Sequence, residues 1–197
     1  MSINPIAVFC MIGLCCSCNY TGNNKRQPPT PSSKFLDSVL AKADISLSFI
    51  KNHTLIREYF TEKSKFTGDT VYFRDSDHPV VIMEYSDGMV CSKKFLLVYQ
   101  RNTLKNTACK LVETDCDEDD ASNYNRISFG IFNHTYFYTR DVWYIRDEGA
   151  KTKVTVDDQF YHFGKNGKIV LLSHKPPGIT VPIFVPDDDN GSIEKDQ

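Results

Sequence analysis

The run GAKTKVTVDDQFYHFGKNGKIVLLSH, residues 149–174, decides the fold. Thr152 to Val156 alternates and is β-branched, Gln159 to Phe163 is aromatic, and Lys168 to Ser173 is aliphatic. Three consecutive antiparallel strands joined by tight turns follow from that pattern. Asn166-Gly167 between the last two is a strong hairpin signal, because both positions of a two-residue turn want φ > 0. With that turn, Phe163 faces Val170, Tyr161 faces Leu172 and Gln159 faces His174. The other face carries Phe160, His162, Ile169 and Leu171. Both faces are mostly apolar, so the hairpin is either covered on both sides or lines a cavity with one of them.

Upstream, the pattern is strand after strand. Thr70 to Phe73, Pro79 to Tyr85, Met89 to Ser92, Lys94 to Gln100 and Cys109 to Thr114 read as strands, with Ser86-Asp87-Gly88 as a turn. Arg126 to Phe132, Thr135 to Tyr138 and Val142 to Arg146 follow. Before them lies a helical part. Ser32 or Ser33 can cap a helix whose apolar face is Phe35, Leu36, Val39, Leu40 and Ala43. A second apolar-periodic segment runs from Ile45 to Phe60 and predicts a helix over His53 to Lys63; Gly68-Asp69 ends it. Helices packed on a curved, mainly antiparallel sheet place the chain in the α+β class.

Helices first, then strands closing in Gly149 to His174, resemble the NTF2-like (SnoaL-like) domains. There a strand ends in an aromatic pair, a Gly-containing turn follows, and Gly-Lys-Ile opens the last strand. The resemblance implies a cone-shaped sheet around a pocket. In the isomerase-type members it would make His162 and Asp158 an acid–base pair acting on a small apolar substrate. The alternative fold is a lipocalin-like β-barrel, because a meander of this many strands could close.

The N-terminus speaks to location. Ile6 to Leu14 is a short apolar run, well under the roughly 20 residues of a membrane-spanning helix, and it fits the core of an export signal. Leu14-Cys-Cys-Ser-Cys18 after it resembles a bacterial lipoprotein signal, in which Cys18 would be the lipidated first residue, with Cys16 second choice. A plain cleaved signal and a retained N-terminus are the alternatives. Residues 18–33, rich in Pro and Asn, read as a flexible tether, residues 34–186 as one domain and residues 187–197 as a frayed acidic tail.

The 197 residues carry 41% hydrophobic and 24% charged side chains, a globular composition. The net charge of −2 gives no reason to expect a nucleic-acid partner. With 13 Phe and 10 Tyr, the chain favours strands.

Candidate chemistry is sparse. Asp115 to Asp120 alternates oxygen ligands, but Asp120 stands where a calcium loop needs Gly and Arg126 where it needs Glu, so it reads as a solvated loop. Cys15, Cys16 and Cys18 lack partners for a soft-metal set. Among Cys91, Cys109 and Cys116 one disulfide is expected in an oxidising compartment. Cys109–Cys116 would close the shortest loop, and Cys91–Cys109 would tie neighbouring strands. His78, His134, His162 and His174 stand at no metal-ligand spacing and read as structural. Asn52, Asn133 and Asn190 begin glycosylation patterns that matter only in a eukaryotic secretory host. No metal and no cofactor is expected. The expectation is an exported protein, anchored to a bacterial membrane through Cys18, that binds a small apolar ligand or an envelope protein without catalysis. An enzyme of the NTF2-like kind is the alternative, and an accessory partner encoded beside its target a third.

Overall fold

The computed structural model describes residues 31–58, 60–88, 91–116, 123–145 and 153–184. The export signal, Cys16 and Cys18, most of the tether, the acidic residues 117–120 and the tail 187–197 lie outside the described residues.

Among the described residues the chain forms two helices and nine strands. Helix α1 (Pro31–Leu40) begins within the expected tether. Ser32 and Ser33 therefore lie inside the helix and not at its N-cap position. Strand β1 (Asp44–Ile45) and helix α2 (Leu47–His53) follow. The Ser46 side chain caps α2 by accepting from Phe49 N–H at 3.2 Å.

The helix expected over His53 to Lys63 does not form. The Thr54 hydroxyl donates to the Ile50 carbonyl and closes α2 there. The next N–H, of Leu55, is taken by Asn106 Oδ1 at 2.7 Å, from 51 residues away.

Strands β2 (Lys65–Tyr72), β3 (Val80–Ser86), β4 (Cys91–Gln100) and β5 (Lys105–Cys116) join β1 in one antiparallel sheet, ordered β1-β2-β3-β4-β5. Strands β6 (Asn123–Phe132), β7 (Tyr136–Ile145), β8 (Lys153–Phe163) and β9 (Ile169–Leu171) form a second, ordered β6-β7-β8-β9. The class is α+β, dominated by antiparallel sheet. The described strands divide into two open sheets, so the lipocalin-like barrel alternative does not hold.

The layers are helices, first sheet, second sheet. Phe35, Leu36, Val39 and Ile50 pack on one face of the first sheet, against Val81, Met83, Phe95, Leu97 and Tyr99. The opposite face carries Val80, Ile82, Leu96, Val98 and Val112, which meet Phe137 and Tyr161 of the second sheet. Burial on both faces explains why β3 and β4 read as continuous apolar runs where alternation would mark a half-exposed strand. Helix α1 sits so close that a Cβ on Gly68 would lie 2.4 Å from Val39 Cα.

Two expected breaks are absent. The described parts of the two segments expected at Thr135 to Tyr138 and Val142 to Arg146 belong to one strand, β7 (Tyr136–Ile145), and those of Thr152 to Val156 and Gln159 to Phe163 to another, β8 (Lys153–Phe163). The charges between these segments face each other across the ladder. Arg140 pairs with Asp158 through two parallel bonds of 2.7 and 2.8 Å, which stabilises a charged step inside a strand pair. The outer face of the second sheet holds Tyr138 and Phe160, covered by Ile179 and Val181 of the chain after β9. Arg140 Nη1 also donates to the Pro182 carbonyl at 2.6 Å, latching that segment down.

The closing hairpin differs by one residue from the expected register. Phe163 faces Ile169, His162 faces Val170 and Tyr161 faces Leu171. Gly164 N–H donates to the Lys168 carbonyl and Gly167 N–H to the Gly164 carbonyl, which encloses a three-residue loop. Gly167 takes φ +71 and Asn166 does not turn left-handed, so the extra residue is a glycine bulge after an ordinary turn. The slip moves Ile169 onto the Phe163 face, towards the first sheet.

Candidate functional site: a cleft at one end of the two sheets

Three connections converge at one end of the inter-sheet layer: Phe73 to Pro79 between β2 and β3, Asn133 to Thr135 between β6 and β7, and the Gly164–Lys168 hairpin loop. Between them lies a cleft of about 190 Å³. Val80 and Val98, both buried, and the rings of Phe73 and Phe163 supply its apolar lining. Ser76, Asp77, His78, His134 and Lys165 supply the polar lining.

The first loop is held tightly. Ser76 N–H donates to the Phe73 carbonyl, and Tyr99 and Arg101 N–H groups donate to the Pro79 and Asp77 carbonyls at 3.0 and 2.9 Å. Phe73 adopts φ +54, which a bulky residue takes only when its surroundings impose it. Its ring lies 4.6 Å from His134 and meets Phe163 edge-on at 5.6 Å. Asn133, at φ +43, accepts from Thr135 N–H and sets the turn that presents His134. The hairpin loop is docked onto the first sheet by the Thr107 hydroxyl, which donates to the Gly167 carbonyl at 2.8 Å. A Cβ on Gly167 would lie 2.5 Å from His78 Cδ2, so this contact requires glycine. Left-handed backbone therefore gathers in all three loops of the cleft. Such a site can hold a small apolar group and hydrogen-bond its polar end through imidazole, carboxylate or ammonium.

The sequence-level candidates lie elsewhere. Asp158 is engaged by Arg140 on the outer face of the second sheet. His162 shares that face, beside Tyr136 at 5.6 Å. Four positions apart on one strand, the two stand roughly 13 Å from one another, beyond acid–base contact. His78 and His134, read as structural, are the histidines brought together. Sequence signals existed only separately: one precedes the Pro79 strand start, the other follows a turn asparagine. His174 is exposed.

Cys91 is disulfide-bonded. The register places Cys116 opposite it, and Cys109 is a free thiol. Neither expected pairing through Cys109 forms, because Cys109 is opposite Leu97 in the ladder and packs against the apolar layer under the helices.

A second hollow, of about 320 Å³, lies by the start of α1 between Ser32, Ser33, Leu36, Arg74, Asp75 and Arg101. Its arginines are engaged, Arg74 by Asp37 and Arg101 by Asp75. Among the described residues no group of three or more His, Cys, Asp or Glu is placed to hold a metal ion, and no helix is long and apolar enough to cross a membrane. Comparison with protein-family models, with curated proteins and with solved structures gives no match for this chain.

Proposed function

We propose that this protein is an exported, lipid-anchored binding module of a bacterial envelope, attached through Cys18, and that the cleft holds a small apolar group of its ligand or protein partner. The observation that carries the reading is the cleft itself: apolar lining, a few convergent polar groups, and left-handed backbone in each loop that builds it, imposed on the bulky Phe73 in one of them. At about 190 Å³ it is smaller than the 300–1,000 Å³ usual for drug-sized ligands. A single aromatic ring or branched aliphatic group is the right size. The disulfide at Cys91 supports an oxidising compartment, and hence export.

Catalysis draws less support. An NTF2-like enzyme would need a cone with a hollow interior, whereas the spaces on both faces of the first sheet are filled by side chains. Asp158 is committed to Arg140 and does not approach His162.

Two measurements test the reading. Intact mass of the protein from its native membrane fraction should show a chain starting at Cys18 with added acyl mass, lost in Cys18→Ala; an unmodified chain retaining Met1 defeats the anchor. Titration with phenol and indole, followed by NMR, should shift the His78, His134 and Phe163 signals together. Shifts scattered over the surface, or none, defeat the cleft.

A further inference from the structure

The side chains around the cleft are layered by depth. Val80 and Val98 form its floor and are essentially inaccessible. Phe73, Phe163 and His78 are half-buried, and Ser76, Asp77, His134 and Lys165 are exposed at the mouth. An occupant therefore enters apolar end first and leaves its polar end at the mouth.

The charge at the mouth decides what that end is. Two of the three loops carry no acid: Asn133 to Thr135 brings an imidazole, and Gly164 to Lys168 brings an ammonium. Acid comes from the loop between β2 and β3. There Asp75 is taken by Arg101, whose guanidinium donates to the Asp75 carbonyl at 2.7 Å and lies 3.6 Å from its carboxylate. The charges of Asp77 and Lys165 cancel in the count. An imidazole is neutral or cationic and never anionic, so His78 and His134 add only to the positive side. The mouth thus favours an anion over a cation.

The hairpin register puts Lys165 there. A two-residue Asn166-Gly167 turn would set Lys165 opposite Lys168 in the ladder. The loop closes instead between Gly164 and Lys168, which makes Lys165 its first residue. Gly167, held by the Thr107 hydroxyl and packed on His78, fixes the loop from below. Asn166 is occupied inside the loop, its Oδ1 accepting from Lys168 N–H at 3.3 Å, while Lys165 lines the cleft.

We propose that the cleft takes a small aryl carboxylate: one aromatic ring lodged against Phe73 and Phe163, on a short arm whose carboxylate pairs with Lys165 at the mouth. This rests on the cleft being the binding site, as proposed above.

Titration of the full chain at neutral pH with three probes of nearly one shape is the test: phenylacetate, phenethyl alcohol and phenethylamine, followed by NMR at His78, His134 and Phe163. Phenylacetate should bind about fivefold or more tighter than the alcohol, and the amine weakest. Lys165→Gln should remove most of that preference, and Lys165→Glu should reverse it. Lys165 is exposed, and circular dichroism checks that each variant folds. Equal affinity for the three probes, or a preference for phenylacetate that survives Lys165→Glu, overturns the inference and leaves the cleft standing as a binding site. Absence of shifts at all three residues with every probe overturns both.

Discussion

Cys109 shows how a single buried group sets a pH dependence. Burial pushes its thiol up to about 12 from an ordinary 9.0, against the opposing pull of the Arg57 guanidinium. In the unfolded chain the thiol ionises above 9.0, while in the folded chain it stays protonated until about 12. The unfolded state therefore gains as pH rises through that window. The associated stability is complete below 9.0 and falls by about 1.4 kcal/mol per pH unit above it. Denaturant melts at a series of alkaline pH values should show a shallower loss of stability in Cys109→Ala than in the unaltered chain. Lys94 and Tyr138 remain in both proteins and cancel in the comparison. The same protonation makes Cys109 a poor nucleophile in the folded state, in keeping with its packing beside Leu111 and Tyr99. Its burial was not legible in the sequence, where Cys91, Cys109 and Cys116 offered two pairings, both through Cys109. The strand register excludes both, setting Cys109 opposite Leu97.

Asn106 does at the scale of elements what no local signal does. Its amide group donates to the Val98 and Ala108 carbonyls at 2.8 and 2.7 Å and accepts from Leu55 N–H, so its side chain joins β4, β5 and the segment after α2. Asn106→Ala leaves the part-buried Leu55 N–H and Ala108 carbonyl without this partner, while the Val98 carbonyl keeps the Thr107 hydroxyl. A loss of about 1–3 kcal/mol follows, measurable in urea melts. The segment His53 to Lys63 has helical apolar spacing, and its departure from helix is caused by this distant side chain, which no window of local sequence contains. The hairpin slip is of another kind. Asn-Gly marked the turn correctly, but the choice between two and three loop residues was made by Gly167 docking against Thr107 and His78. Likewise Asp157-Asp158 looks like a turn until Arg140 stands across from it.

For the molecule as a whole, the α+β class and the order of helices before strands were legible from apolar periodicity and turn residues. The division into two sheets was not, because β5 and β6 carry the same kind of pattern and nothing local says they stop pairing. The cleft was illegible for a related reason. His78 and His134 line one cleft only because two sheets stack so that three loops share one end. Burial of the first sheet on both faces has a consequence for tolerance to change. A half-exposed strand accepts polar substitutions at every second position. Val80, Val81, Ile82 and Met83 are all essentially inaccessible, so they form a stretch with no permissive position. Saturation mutagenesis read out by soluble yield should give an unbroken block of intolerance there, whereas Lys153 to Asp157 in β8, exposed apart from Val154, should accept most polar replacements. For natural variation this means that β3 can change only by exchanging one hydrophobic shape for another, whereas the exposed stretch of β8 is free to drift.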